Sequence, residues 1–176
     1  MPRILITGAS SGIGAALARH YAQSGTSLIL VGRNAERLEI VARDWRAGGA
    51  TAETARLDTR DRAATVALVH RSDAEAPLDL VIANAAVNGG NQEGQVEAED
   101  VAFETADINY TGTLNVMLPT LTLMLQRGRG QIVLLSSLAA YAPLQDAPAY
   151  SGAKAALVPH RLALRQKGAP RGLPVP

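Results

Sequence analysis

Tyr150 and Lys154 stand four residues apart in Tyr150-Ser151-Gly152-Ala153-Lys154. On a helix that spacing places both side chains on one face. A fixed ammonium ion beside a phenol favours the phenolate, so the pair can exchange a proton with an oxygen at working pH. Ser137, thirteen residues upstream, offers a hydroxyl that can hold a carbonyl oxygen in place. With a hydride from a bound cofactor, these groups suit the interconversion of a carbonyl and an alcohol. Tyr and Lys also meet at this spacing by chance, so the reading depends on what else the chain carries.

A second group lies near the N-terminus. Thr7-Gly8-Ala9-Ser10-Ser11-Gly12-Ile13-Gly14 follows the apolar run Ile4-Leu5-Ile6 and leads into helical spacing at Ile13, Leu17 and Tyr21. A strand, a glycine-rich turn and a helix start in that order build a site for a phosphate. The glycines admit a ligand close to the backbone, and the first N–H groups of the helix face the anion. Glycines at 8, 12 and 14 do not follow G-x-G-x-x-G, and an ordinary tight strand-to-helix turn would use them as well.

Three further polar stations close strand-like runs. Gly32-Arg33-Asn34 ends the second run. An acid there would hold a ribose 2′-hydroxyl, whereas Arg33 matches a 2′-phosphate and favours NADP, a solvated turn arginine being the alternative. Asp58 ends the third run and Asn84-Ala85-Ala86 the fourth. These small and polar residues suit a wall for a flat base and a ribose.

The elements that position these groups alternate along the chain. Strand candidates are Arg3–Ile6, Ser27–Val31, Thr51–Leu57, Leu78–Ala83 and Gln131–Ser136. Helical patterns cover Ile13–Gln23, Ala35–Arg46, Asp61–Asp73 and Ala106–Gln126, the last with an apolar stripe at Leu114, Met117, Leu118, Leu121 and Leu125. The strands read as nearly continuous apolar runs, which suits a parallel sheet covered on both faces. Alternation of this kind predicts an α/β fold with a doubly wound parallel sheet. Gly48-Gly49, Gly89-Gly90 and Gly128–Gly130 punctuate it as loops. Pro119 should kink the fourth helix or open a new first turn. Pro159 should bend or split the helix of Tyr150 and Lys154, at about 3 kcal/mol for an interior proline.

Composition narrows the function classes. A chain of 176 residues with 47% apolar content reads as a single domain, residues 1–176. Its formal net charge of +1, without a basic block, argues against a nucleic-acid surface. The absence of cysteine removes disulfides, thiolate metal sites and a cysteine nucleophile. His20, His70 and His160 lack metal spacing, so no metal site is expected. No signal-like or membrane-length apolar run is present, which predicts a cytoplasmic protein without a membrane partner.

In this order and spacing, Thr7–Gly14, Asn84-Ala85-Ala86, Asn109, Ser137 and Tyr150-x-x-x-Lys154 resemble the short-chain dehydrogenase/reductase family over residues 3 to 158. The resemblance implies a Rossmann-type, three-layer α/β/α fold. It also implies an oxidoreductase for a small-molecule carbonyl/alcohol pair, with NADP the preferred cofactor and NAD the alternative. Gly8, Ser10, Ser11, Gly12, Ile13 and Gly14 would line the cofactor phosphates, Arg33 would select NADP, and Asp58 would meet the adenine. Asn84 and Ala85 would lie by the nicotinamide-side ribose, with Asn84 bracing the sheet. Tyr150 would be the general acid/base, Lys154 would bind the ribose and tune Tyr150, Ser137 would orient the carbonyl, and Asn109 would hold a relay water. Ala83 and Ala86 depart mildly from the family's usual Asn and Gly.

The end of the sequence departs further. Members resembling this chain usually continue with a sixth and a seventh strand and a substrate-covering segment. Here the sequence stops at Gly172-Leu173-Pro174-Val175-Pro176, where a sixth strand should be starting, and its prolines oppose a central strand. The expectation is a C-terminally truncated domain, complete for cofactor and rudimentary for substrate. A catalytically impaired dinucleotide-binding module, or an incomplete gene product, is the alternative. The resemblance also implies a homodimer or homotetramer, paired through the Leu114–Leu125 helix and the helix of Tyr150.

Overall fold

The computed structural model describes residues 1–46, 49–91 and 95–168. Gly48 and the stretch Gly172–Pro176, the expected start of a sixth strand, lie outside the described residues. Five strands form one sheet: β1 (Arg3–Thr7), β2 (Ser27–Gly32), β3 (Thr51–Arg56), β4 (Leu80–Ala83) and β5 (Gln131–Leu134). Six α-helices accompany them: α1 (Gly12–Tyr21), α2 (Ala35–Arg46), α3 (Arg62–Glu75), α4 (Glu99–Ala106), α5 (Gly112–Arg127) and α6 (Pro148–Gly168). The strand order is β3-β2-β1-β4-β5, and each pairing is parallel. This is the expected Rossmann-type doubly wound sheet.

The chain starts at the middle of the sheet, with Leu5 of β1 between Ile29 of β2 and Val81 of β4. The strand order reverses on either side of β1, so the carboxyl ends of β1 and β4 open a crevice there. Alternate side chains point to opposite faces. Leu5, Ile29, Val81 and Ile132 pack against Leu68 and Val69 of α3 and Val116, Met117 and Leu121 of α5. Ile4, Ile6, Leu28 and Leu30 pack with Ala18 of α1 and Leu38, Ala42 and Trp45 of α2. Each large side chain so buried contributes about 1.5–3 kcal/mol over an exposed one. Burial on both faces explains the uninterrupted apolar runs of β1, β2 and β4. At the edge, β3 (Thr-Ala-Glu-Thr-Ala-Arg) is mixed, with exposed Thr51, Glu53 and Arg56.

The new first turn expected as one outcome at Pro119 and the split expected as one outcome at Pro159 do not occur. α5 runs through Pro119 and α6 through Pro159, and neither helix restarts there. Packing holds both halves of each helix. Met117 and Leu121 are buried on either side of Pro119, while Leu157 is buried before Pro159 and Leu164 packs on the core beyond it. The helical stretch before the Leu114–Leu125 stripe is also longer than expected. α4 begins at Glu99, and a π-helical turn, Asp107–Thr111, links it to α5. No described helix is long and apolar enough to cross a membrane.

Candidate active site

The glycine turn after β1 is held from beneath by the strand beside it. The Thr7 hydroxyl accepts from the backbone N–H groups of Asn84 and Ala85, at 3.0 and 3.1 Å. The Asn84 amide donates to the carbonyls of Thr7 and Gly8, at 2.9 and 3.3 Å. Gly8 has φ +68°, and a Cβ there would lie 2.8 Å from the Ala85 Cα and the Asn84 Nδ2. A Cβ on Gly14 would overlap the Gly8 carbonyl and reach within 2.6 Å of Asn84 Nδ2. These two glycines are therefore required by close packing of the turn. Gly12 differs: its φ is +54°, yet a Cβ would meet nothing within 4 Å. Its outer side is open space.

At that open side α1 begins. Ser11 occupies its N-cap position and makes no side-chain capping bond, so the first-turn N–H groups have no side-chain acceptor. Ile13, 64% exposed, stands in the wall of the cleft beside them. Free donors, a helix dipole and room above the backbone are what a phosphate requires.

At the far end of the cleft, four charged side chains meet. Asp58 is held by Arg60, whose Nη2 donates to Oδ2 at 2.6 Å and whose Nε lies 3.1 Å from both oxygens. That guanidinium keeps the Asp58 carboxyl below its usual range, against the opposing effect of partial burial. Glu104 of α4 then accepts from Arg60 at 3.3 Å and pairs with Arg33 at 3.7 Å. Arg33 is more than half exposed and holds no shorter ion pair among the described residues. Asn34 caps α2 through Arg37 N–H, at 2.9 Å, and both Asn34 and Arg37 line the cleft.

Tyr150 and Lys154 share one face of α6 and line the same cleft. Lys154 is only 3% exposed and donates to the Leu135 carbonyl at 2.8 Å. Its ammonium lies 5.9 Å from the Tyr150 ring centre, the outer limit of a cation–π contact. No carboxylate offsets its burial, and desolvation pulls its pKa down to about 8. Ser136 donates to the Lys154 carbonyl at 2.9 Å, which fastens α6 to the end of β5.

The cleft has a volume of about 440 Å³. It gathers Gly8, Ser10, Ser11, Gly12, Ile13, Arg33, Asp58, Asn84, Ala85, Tyr150 and Lys154. Three expected site residues do not line it. Gly14 lies beneath the turn. Ser137 caps the short 3₁₀ turn Leu138–Ala140, its hydroxyl accepting from Ala139 N–H at 3.2 Å. Asn109 is fully buried, its amide both accepting from Val87 N–H and donating to the Val87 carbonyl at 2.8 Å. Its side chain is thus tied to the loop after β4, with one amide N–H and one lone pair left over. Sequence reasoning missed Thr7 as the brace of the turn, and it missed Arg60, Glu104 and the Leu135 carbonyl. Only the Thr7 position carried a signal, a hydroxyl at the last residue of the strand.

Residues 2–175 match the short chain dehydrogenase family. The chain belongs to that family. Among its relatives is a serine 3-dehydrogenase of Agrobacterium fabrum. The two are 38% identical over 170 residues, covering 92% of this chain and 64% of the relative. A xylitol dehydrogenase solved with NAD+ bound superposes at a TM-score of 0.91 and 26% identity, over 98% of this chain and 66% of that one. The actinorhodin polyketide ketoreductase solved with NADPH gives 0.87 and 28%, over 98% and 67%. The chain spans 60 to 65% of the length of several curated relatives that it matches.

Proposed function

We propose that the chain is the nucleotide-binding and proton-transfer part of an NADP-preferring oxidoreductase for a carbonyl/alcohol pair. The observation that carries the proposal is the buried Lys154 ammonium. It is placed beside Tyr150 at one end of a cleft whose other wall is the open, glycine-lined start of α1. Burying a lone ammonium costs stability, so its place calls for a ligand with oxygens to meet it. The uncapped first turn of α1 and the free space over Gly12 fit a dinucleotide's phosphates, and Lys154 fits the hydroxyls of a ribose. When bound, a nicotinamide dinucleotide supplies or accepts the hydride. Tyr150 would exchange the proton with the substrate oxygen, and Lys154 would hold the charge that makes the exchange feasible. Arg33 and Arg37 suit a 2′-phosphate. Asp58 keeps spare acceptor capacity for an adenine amino group, although Arg60 already occupies it.

Asn109 acts in this reading as a brace for the loop after β4, and Ser137 as a group at the mouth of the site that meets the carbonyl. The exposed apolar side chains Phe103, Leu118 and Leu162 on α4, α5 and α6 support pairing into a homodimer or homotetramer through those helices. A second reading, dinucleotide binding without turnover, is favoured by one observation. Leu138 and Tyr141, directly after Ser137, are 86% and 73% exposed, and a site that excludes water would cover them. Calorimetric titration of the full chain with NADPH and NADH, followed by NADPH oxidation with a panel of ketones, separates the two. Tighter NADPH binding with turnover supports the first reading, and tight binding alone supports the second. No binding of either cofactor overturns both.

A further inference from the structure

The helix that carries Tyr150 begins without a cap of its own. The Ala147 carbonyl accepts the first intrahelical bond, from Ser151 N–H at 3.1 Å. Pro148 has no N–H, so Ala149 presents the first amide that needs an acceptor. None of Ala147, Pro148 and Ala149 has a side-chain oxygen to provide one. The acceptor comes from Glu97, 52 residues away in the segment before α4, whose Oε2 takes the Ala149 N–H at 2.9 Å. Tyr150 is the next residue.

The other oxygen of Glu97 makes this contact more than a convenient cap. Oε1 is buried and has no hydrogen-bond partner among the described residues. A Cβ on Gly89 would come within 3.3 Å of it, so the glycine leaves it room. Stranding a carboxylate oxygen is costly, and Ser or Asp at position 147 would cap α6 without that cost. What such a local cap would not do is join α6 to the segment after β4. That segment begins at Ala85, Ala86 and Val87 in the cleft wall and is fixed at Val87 by Asn109. Its far end is held at two points about the start of α6: Asn91 N–H donates to the carbonyl of Asp146, just before the helix, at 2.8 Å, and Glu97 holds Ala149 within its first turn.

We propose that Glu97 is the positioning residue for Tyr150, setting the phenol's place against the cleft wall by clamping the first turn of α6. The proposal rests on Tyr150 being the proton donor–acceptor. Glu97 does not line the cleft, so its effect falls on kcat and leaves binding alone. Losing a hydrogen bond to a charged acceptor exposes the amide about ten- to a hundredfold more often.

The test is amide hydrogen exchange of the peptide spanning Ala149–Ser151 in the cofactor-free full chain. NADPH titration and steady-state kinetics are run on the same samples. Glu97→Ala is expected to exchange about ten- to a hundredfold faster at Ala149. It should bind NADPH within about twofold of wild type and lose about tenfold in kcat with KM little changed. Glu97→Gln keeps an acceptor without the charge, so its exchange falls between wild type and Glu97→Ala, with NADPH binding unchanged and kcat within about threefold of wild type. Glu97→Asp keeps the charge but falls short of Ala149, and it behaves like Glu97→Ala, which decides the matter if the alanine variant does not fold. Wild-type exchange in Glu97→Asp, or exchange in Glu97→Gln as fast as in Glu97→Asp, overturns the proposal. Failure of the Tyr150 reading would look different: Tyr150→Phe would retain turnover while Glu97 still governed the exchange.

Discussion

Replacing Lys154 by methionine should stabilise the cofactor-free protein while weakening its hold on NADPH. The lysine is 3% exposed, and desolvation lowers its pKa from 10.5 to about 8. At about 1.36 kcal/mol per pH unit, that is roughly 3 kcal/mol of penalty for keeping the ammonium buried at neutral pH. Methionine fills the same space without charge, but it forfeits the bond from the ammonium to the Leu135 carbonyl, worth about 1.5–3 kcal/mol for a charged donor. The net gain should be about 0–1.5 kcal/mol at pH 7. The sign of the pH dependence follows from the same shift. Between about pH 8 and 10.5 the unfolded chain holds the proton that the folded chain has released, so wild-type stability rises with pH across that window. Below about pH 8 both states are protonated and the penalty is present in full. Urea unfolding of both proteins at pH 7 and pH 10 measures this. The sequence has one other lysine, Lys167, and it cancels in the comparison. The wild type should gain about 2–3 kcal/mol relative to Lys154→Met between the two pH values. A methionine variant less stable than wild type at pH 7, or equal pH slopes, would refute the reasoning.

Other outcomes follow from the same geometry. Arg33→Ala should weaken NADPH binding by roughly ten- to a hundredfold and hardly move NADH, because a charge-assisted bond to phosphate is worth about 1.5–3 kcal/mol. Equal losses in a titration with each cofactor would remove Arg33 from that role. Gly14→Ala places a methyl group against the Gly8 carbonyl and Asn84 Nδ2. It should cost about 1–3 kcal/mol by denaturant unfolding, and an unchanged midpoint would show that the turn can yield. Leu118→Arg with Leu162→Arg should turn a homo-oligomer into monomer by light scattering, and an unchanged mass would move the pairing surface elsewhere.

The parts legible in the sequence are those whose causes are local. β1, β2 and β4 are buried on both faces, so their apolar runs could belong only to a covered parallel sheet, and the glycines of the turn stand where the backbone needs them. Pro119 and Pro159 interrupt neither helix, because a local penalty of about 3 kcal/mol is outweighed by packing that the sequence does not display. α4 went unseen because Thr105 is its one fully buried side chain, too little for an apolar stripe. The π-helical turn at Asp107–Thr111 breaks the period that would reveal it. Glu104 meets Arg60 from 44 positions away and Glu97 meets Ala149 from 52, and Glu104 reaches Arg33 from still further along the chain. Only the fold brings them to the site. The bonding of Asn109 to Val87 likewise carried no sequence signal.

The account stands most directly on Tyr150. Tyr150→Phe keeps the ring beside Lys154 and removes the one proton the proposed chemistry exchanges. Measured against wild type for NADPH oxidation with the same ketone, it should turn over at less than about a hundredth of the rate, in line with loss of a general acid. NADPH binding in the same preparation should stay within about twofold. A Tyr150→Phe protein that keeps more than about a tenth of the wild-type rate would contradict the assignment of the site.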